Sequence, residues 1–186
     1  MKKLLRVTLL AFTALFALAA CSDNTQNKDQ TSLSILYPSW AEGVAMTHLA
    51  KVVLEERDVD VNATLIEPGP LYASLAKGDA DLYLDAWLPH THKDYWERFG
   101  DKLDVVGTVF DDASTGLVVP DYVEINSIEE LNENAADFEG KIYGIGSGAG
   151  VHTNTIRAID AYDLDFEQIT SSESSMMAEL RRSIGA

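Results

Sequence analysis

Two tryptophans follow predicted strands at positions where a ligand could reach them. Trp40 lies in the segment 38–42 and Trp87 in the segment 85–92, each directly after a predicted strand. The carboxyl ends of parallel strands border the ligand cleft of α/β folds, so we expect the two rings to be close together. One tryptophan alone would more simply cover the edge of the core. Because indole faces attract quaternary ammonium groups, the pair predicts a site for an organic cation.

A glycine-rich turn offers the complementary chemistry. Residues 144–150 read Gly-Ile-Gly-Ser-Gly-Ala-Gly and enter a predicted helix. Backbone N–H groups at a helix N-terminus can hold an anion. The same glycines fit a plain tight connection equally well. With the tryptophans, the turn would allow a zwitterion to be bound at both ends.

Other chemistries fit the residues less well. His90 and His92 could form a metal pair, but no third ligand cluster accompanies them. The glycines from Gly144 match a dinucleotide fingerprint only in part and come late in the chain. Ser147 lacks the glycine two residues before it that a nucleophile elbow requires, and His152 is interpreted as a helix-surface residue. We therefore predict no metal, no cofactor and no enzyme, with an exported hydrolase as a weak alternative.

The elements that must position these residues alternate between strands and helices, which predicts an α/β fold with a mostly parallel sheet. Strands are predicted at 33–37, 61–66, 81–85, 105–110, 116–120 and 141–145. Helices are predicted at 41–56, 71–76, 91–99, from Ser127, at 151–162 and at 172–182. The first helix is predicted from apolar residues at helical spacing, Val44, Leu49, Val52 and Val53. The helix at Ser127 is predicted from a capping box with Glu130.

The N-terminus predicts export. Residues 1–21 carry a positive start, an apolar stretch too short to span a bilayer, and Leu18-Ala19-Ala20-Cys21. The last four resemble a lipobox, so we predict a lipoprotein signal peptide with Cys21 as the lipidation site. Residues 22–32 are polar and predicted to be a flexible tether. A net charge of −16 argues against binding to nucleic acid.

Four segments resemble the glycine betaine-binding proteins of osmoprotectant ABC importers. They are Gly78-Asp-Ala-Asp-Leu-Tyr-Leu-Asp-Ala-Trp-Leu-Pro89 with Thr91-His-Lys93 and Tyr95-Trp96, then Ser39-Trp-Ala-Glu42, Tyr143-Gly-Ile145 and Ser171-Ser-Glu173. The resemblance covers nearly the whole body of the chain. It implies a two-lobed periplasmic-binding-protein-like (type II) fold with an incomplete second lobe.

The resemblance also implies roles for single residues. Trp40 and Trp87 match two walls of an aromatic cage, His92 matches a carboxylate-binding histidine, and Gly144 and Ile145 match an amide pair that holds the carboxylate. The third tryptophan of the family pattern would lie a few residues beyond Ala186, and Trp96 does not substitute for it. We therefore expect the chain to be C-terminally truncated and to bind weakly or not at all by itself.

The resemblance implies a division of the chain and a set of partners. Lobe 1 is expected at 33–112 and lobe 2 at 113–186, with a crossing near 111–115. The expected ligand is glycine betaine or another quaternary-ammonium solute, with choline or carnitine as alternatives. The expected partner is an ABC transporter permease. The protein would be exported and held on the membrane by lipid on Cys21, facing the periplasm or the cell exterior.

Overall fold

The computed structural model of the protein describes residues 31–184, which belong to a compact unit of residues 31–186. The predicted signal peptide, Cys21 and the tether up to residue 30 lie outside the described residues. The strands are β1 (Ser32–Tyr37), β2 (Asp60–Leu65), β3 (Lys141–Ile145) and β4 (Glu167–Ser171). The α-helices are α1 (Ala41–Glu55), α2 (Pro68–Lys77), α3 (Lys93–Phe99), α4 (Gly150–Ala161) and α5 (Glu173–Ile184). None of the helices in residues 31–184 is long and apolar enough to cross a membrane.

The first sheet pairs β1 with β2 in parallel, in register from Ser32 opposite Asp60 to Tyr37 opposite Leu65. Parallel neighbours need a crossover connection, and α1 provides it. β1 begins at Ser32, which the sequence places in the tether. The predicted third strand, 81–85, contributes a single parallel bridge between Leu82 and Ile35.

The core lies between this sheet and α2. Ile35 and Leu36 on β1 and Leu71 and Tyr72 on α2 are buried. Pro68 begins α2, where its missing N–H costs nothing, and Gly78 ends it in the left-handed region at φ 76°. Tyr83, Tyr95 and Phe99 pack against this cluster. This packing fixes the segment between β2 and α3, which carries Trp87 and His92.

The second sheet pairs β3 with β4 in parallel, with α4 as the crossover. The sequence prediction missed β4, because Glu167-Gln-Ile-Thr-Ser171 is mostly polar and shows no apolar alternation. The strand forms because each of its residues faces one of β3, from Lys141 opposite Glu167 to Ile145 opposite Ser171. Pairing, not pattern, therefore defines β4.

Besides 81–85, which is reduced to one bridge, two predicted strands are wrong. Residues 105–110 and 116–120 form no strand, and Val106 and Phe110 are 86% and 76% exposed. Their apolar residues favour a strand, but no other segment of residues 31–184 pairs with them. The helix predicted from Ser127 is instead two 3-10 segments, Ile128–Glu130 and Asn132–Phe138. Glu130 accepts a hydrogen bond from the Asn126 N–H, so the capping interaction forms one residue early.

The first helix has the predicted position but a different buried face. Gly43 and Thr47 are buried, whereas Leu49, Val52 and Val53, which predicted the helix, are 66%, 54% and 38% exposed. The buried face thus carries the smaller residues. Small residues allow the helix backbone to approach the segment that follows the Leu82 bridge. Gly43 makes such an approach to Asp85.

Candidate functional site

One cavity brings together most of the residues that the sequence singled out. Trp40, Trp87, His92 and Ile145 all line it, and its volume is about 190 Å³. Pockets for drug-sized ligands usually measure about 300 to 1,000 Å³, so this one suits a small solute. A second cavity of about 240 Å³ shares Trp40, Ile145 and Ala149 with the first.

Trp40 lies in the turn between β1 and α1. Its backbone is extended, with φ −89° and ψ 142°, and it occupies the position immediately before the first helical residue. Its ring centroid is 5.7 Å from that of His92, and the two ring planes are tilted by 32°. This contact places the Trp40 ring beside the segment that carries Trp87.

Trp87 is held by hydrogen bonds at both ends. Its indole Nε1–H donates to Oδ1 of Asp85 at 2.8 Å, and its backbone N–H donates to Nδ1 of His92 at 3.0 Å. The residue thus has a fixed backbone and a fixed ring. A ring fixed before the ligand arrives loses little conformational entropy on binding.

His92 is buried, and its hydrogen bonds determine which nitrogen carries the proton. Nδ1 accepts from the Trp87 N–H and lies 3.1 Å from the Tyr72 hydroxyl, which can donate to it. The neutral ring therefore carries its proton on Nε2, which has no hydrogen-bond partner among residues 31–184. Burial lowers the pKa of His92 to about 4. The ring is thus a neutral donor at physiological pH, located at the cavity wall.

Acidic groups surround the tryptophans. Glu42 lines the cavity, and Glu173 accepts a hydrogen bond from the Ala41 N–H at 2.8 Å. Burial raises the pKa of the Asp85 carboxyl to about 7; the negative charges of Glu42 and Glu173 add to the rise, and the indole hydrogen bond from Trp87 opposes it. Negative charge beside two indoles favours a cationic ligand.

The N-terminus of α4 also borders the cavity. Ala149, Gly150 and Val151 line it, and the positive end of the helix dipole lies there. The sequence predicted an amide pair at Gly144 and Ile145. Ile145 lines the cavity, whereas Gly144 remains within β3 opposite Thr170 and lines neither cavity. The structure thus brings the glycine-rich turn to the site through Ile145 and the start of α4.

Gly150 lies closer to the rest of the site than its neighbours in the turn. A Cβ at this position would lie 1.7 Å from the Thr91 carbonyl oxygen. Only glycine allows the start of α4 to pack this closely against the segment between Trp87 and His92. The sequence shows a run of glycines but not which of them is required.

Other candidates lie apart from the cavity. Trp96 is on α3 and packs against Gly100, where a Cβ would lie 2.7 Å from the indole. His90 is exposed, and residues 31–184 contain no group of three or more His, Cys, Asp or Glu placed to hold a metal ion. Sequence reasoning did not single out Glu42 and Thr115, which line the cavity, or Asp85, which accepts the hydrogen bond of the Trp87 indole. For Asp85, a signal was available: it is an acidic residue at the end of a predicted buried strand, two positions before a tryptophan.

A model of one protein family matches residues 31–186: the substrate-binding domain of ABC-type glycine betaine transport systems. The chain belongs to this family. The family resemblance predicted from the sequence is thereby confirmed. The match covers the whole of the described part of the chain.

Individual proteins named for glycine betaine binding or transport are also similar to this chain. The chain is 31% identical over 114 residues to the glycine betaine/carnitine transport binding protein GbuC of Listeria monocytogenes, which covers 61% of this chain and 38% of that protein. The crystal structure of the glycine betaine, L-proline-binding protein ProX from Borrelia burgdorferi matches with a TM-score of 0.81 and 34% identity, over 83% of this chain and 59% of that one. The lactococcal OpuAC, closed on glycine betaine, matches with a TM-score of 0.78 and 32% identity, over 83% of this chain and 61% of that one.

These structural matches confirm the predicted fold class. The chain has the periplasmic-binding-protein-like α/β fold of the glycine betaine-binding family. It spans about 60% of the length of the two solved relatives and 38% of GbuC. The described residues therefore correspond to part of that fold.

Proposed function

We propose that the protein is the solute-binding component of an ABC importer and captures glycine betaine or a related quaternary-ammonium solute. The observation that carries this proposal is the cavity that Trp40 and Trp87 share with Glu42 and the start of α4. A trimethylammonium group donates no N–H hydrogen bonds, so aromatic faces and nearby negative charge are what recognise it. Membership of the family supports the same reading.

The other end of the ligand would meet donors. A carboxylate near Ile145 and Gly150 would lie at the positive end of the α4 dipole, where anions are stabilised. The Nε2–H of His92 is a further donor on the same cavity. In this arrangement the cation and the carboxylate of a small zwitterion are bound by different elements, which gives the ligand one orientation.

Glycine betaine is favoured over choline because choline has no carboxylate for the N-terminus of α4 to bind. Carnitine carries both groups, and GbuC is named for transport of glycine betaine and carnitine. Carnitine is longer, and a cavity of about 190 Å³ is small. We therefore rank glycine betaine first and carnitine second.

The placement of the protein in the cell is part of the proposal. We infer an exported protein anchored by lipid on Cys21, with lobes at 33–112 and 113–186 that close on the ligand before delivery to the permease. Two separate parallel sheets, β1–β2 and β3–β4, with the cavity residues drawn from both parts of the chain, support the two-lobe division. Labelling with radioactive palmitate, with Cys21→Ser as the unlabelled control, tests the anchor.

Calorimetry and NMR on the 186-residue chain test the ligand. Glycine betaine, choline and carnitine are titrated, with glycine as the control zwitterion that lacks methyl groups. We expect any binding of glycine betaine to be weak, because two tryptophans of residues 31–184 line the cavity and Trp96 lies away from it. The indole N–H signals of Trp40 and Trp87 should shift and that of Trp96 should not.

The outcomes separate the alternatives. A stronger response to choline than to glycine betaine would favour choline as the ligand. It would also contradict the proposal that the N-terminus of α4 binds a carboxylate. Equal responses of Trp40 and Trp87 to glycine and to glycine betaine would sink the proposal, because recognition would then not depend on the methyl groups. Trp40→Ala and Trp87→Ala should each abolish the shift that glycine betaine causes in the indole N–H signal of the remaining cavity tryptophan. Trp96→Phe should leave the shifts of both signals unchanged.

A further inference from the structure

Asp85 is a buried acid with an unusual set of partners. It is 8% exposed, and its Oδ1 accepts the indole N–H of Trp87 at 2.8 Å. Its second oxygen, Oδ2, has no hydrogen-bond partner among residues 31–184. A buried carboxylate oxygen without a partner is costly, so its retention calls for a reason other than fold stability.

The surroundings keep the carboxylate in place. A Cβ at Gly43 would lie 2.7 Å from Oδ2, so α1 can approach only because position 43 carries no side chain. Glu42 and Glu173 are the acidic groups that act on Asp85 from α1 and α5. Tyr83, with Tyr72 from α2, is also close enough to interact with its charge. Burial raises the pKa of both tyrosines, so they stay neutral.

We propose that Asp85 is the positioning residue for Trp87: its carboxylate fixes the plane of the indole and makes the face that the ligand meets more electron-rich. A hydrogen bond to an ionised acceptor is shorter and stronger than one to a neutral acceptor. Donation to an anion also polarises the indole, which strengthens its attraction for a cation. As a statement about ligand binding, the inference rests on the proposed function.

The first consequence appears without any ligand. With a pKa of about 7 for Asp85, the acceptor of the Trp87 indole hydrogen bond changes from carboxylate to carboxylic acid near neutral pH. The indole N–H signal of Trp87 should therefore move with one titration step near pH 7. The Trp40 and Trp96 signals should show no such step. Assignment comes from Trp40→Phe, Trp87→Phe and Trp96→Phe.

Asp85→Asn separates charge from shape. The amide keeps an oxygen that can accept from the indole but cannot titrate, so the step in the Trp87 signal should disappear. Asp81→Asn is the matched control. Asp81 lies on the same segment and its Oδ2 accepts the Ser34 N–H at 2.7 Å, away from Trp87. A Trp87 indole N–H signal with the same chemical shift in Asp85→Asn as in the unmutated chain at every pH would overturn the proposal, because Asp85 would then have no effect on the indole.

The second consequence concerns the ligand. Asp85→Asn should weaken binding of tetramethylammonium and glycine betaine several-fold at pH 8, and the difference should shrink as the pH falls below 7. If the ligand-free titration appears but glycine binds as well as glycine betaine, the positioning role stands and the proposed function fails. If ligand binds and Asp85→Asn leaves both affinity and its pH dependence unchanged, the effect of Asp85 on recognition is refuted.

Discussion

Arg157 donates from Nη2 to both carboxylate oxygens of Asp94, at 3.0 Å and 2.9 Å, although the two residues are 63 positions apart. The pair joins α3 to α4, and both helices begin at the cavity: His92 precedes α3, and Gly150 is the first residue of α4. The ion pair therefore connects the Trp87 side of the site with the side proposed to bind the carboxylate.

The first prediction concerns this ion pair. Both side chains are more than half exposed, so solvent screens their attraction, and such pairs contribute between zero and about 1 kcal/mol to stability. Arg157→Gln should lower the free energy of unfolding by less than about 1 kcal/mol. Urea titrations of the single and double variants with Asp94→Asn measure the coupling. It should vanish in high salt, and a coupling that persists there would mean that the pair is not solvent-screened.

The second prediction concerns Gly150. Because an added Cβ would lie 1.7 Å from the Thr91 carbonyl oxygen, Gly150→Ala should cost about 2 kcal/mol or more in spite of the better helix propensity of alanine. Gly146 in the same turn has open space around its Cβ position. Gly146→Ala should change the free energy of unfolding by no more than about 0.5 kcal/mol. Equal effects of the two substitutions, measured by urea unfolding, would contradict the close approach.

The site illustrates what a sequence can and cannot predict. Trp40 and Trp87 were predicted to be close because each follows a predicted strand, and both line the cavity although the strand before Trp87 is reduced to the Leu82–Ile35 bridge. The role of Asp85 was missed because it depends on a three-dimensional contact with Gly43 and on the orientation of one indole. Gly144 was carried over from a family motif; it lies within β3 next to Ile145, which lines the cavity, and its role in binding stays a prediction.

In the fold, too, features with local sequence signals were predicted, and features that depend on tertiary contacts were not. Segments with local signals were predicted within a few residues: α2, predicted at 71–76 and ended by Gly78, is observed at Pro68–Lys77. β4 was missed and the segments 105–110 and 116–120 were wrongly predicted as strands. In both cases strand formation depends on whether another segment offers its hydrogen-bonding edge. Apolar content at 105–110 and polarity at 167–171 carry no information about such a neighbour.

The third prediction concerns His92. Burial lowers its pKa to about 4, so the folded protein resists its protonation more than the unfolded chain does. Stability should therefore fall as the pH drops from about 6.5 through about 4. His92→Asn keeps an acceptor for the Trp87 N–H and cannot titrate. Relative to this variant, the unmutated chain should lose at least about 1 kcal/mol over that range.

His90→Asn is the matched control, since His90 lies on the same segment and is exposed. Its pH profile should follow that of the unmutated chain. Urea unfolding at a series of pH values makes the comparison. A His92→Asn profile parallel to that of the unmutated chain would show that His92 has no lowered pKa.

The fourth prediction concerns Asp85, whose effect on stability has the opposite sign. Its pKa is raised from the model-peptide value of 3.8 to about 7, so the folded protein holds this proton more tightly than the unfolded chain. Its contribution is fully present below about pH 4 and is lost as the pH rises through about 7. The stability advantage of Asp85→Asn over the unmutated chain should thus grow as the pH rises from about 4 to about 7. At higher pH this difference in the free energy of unfolding should stay constant at about 1 to 3 kcal/mol.

Thermal unfolding from pH 4 to 9, with Asp81→Asn as the control, measures this difference. An Asp85→Asn variant less stable than the unmutated chain at pH 8 would mean that the carboxylate stabilises the fold, and its burial would then need no functional explanation.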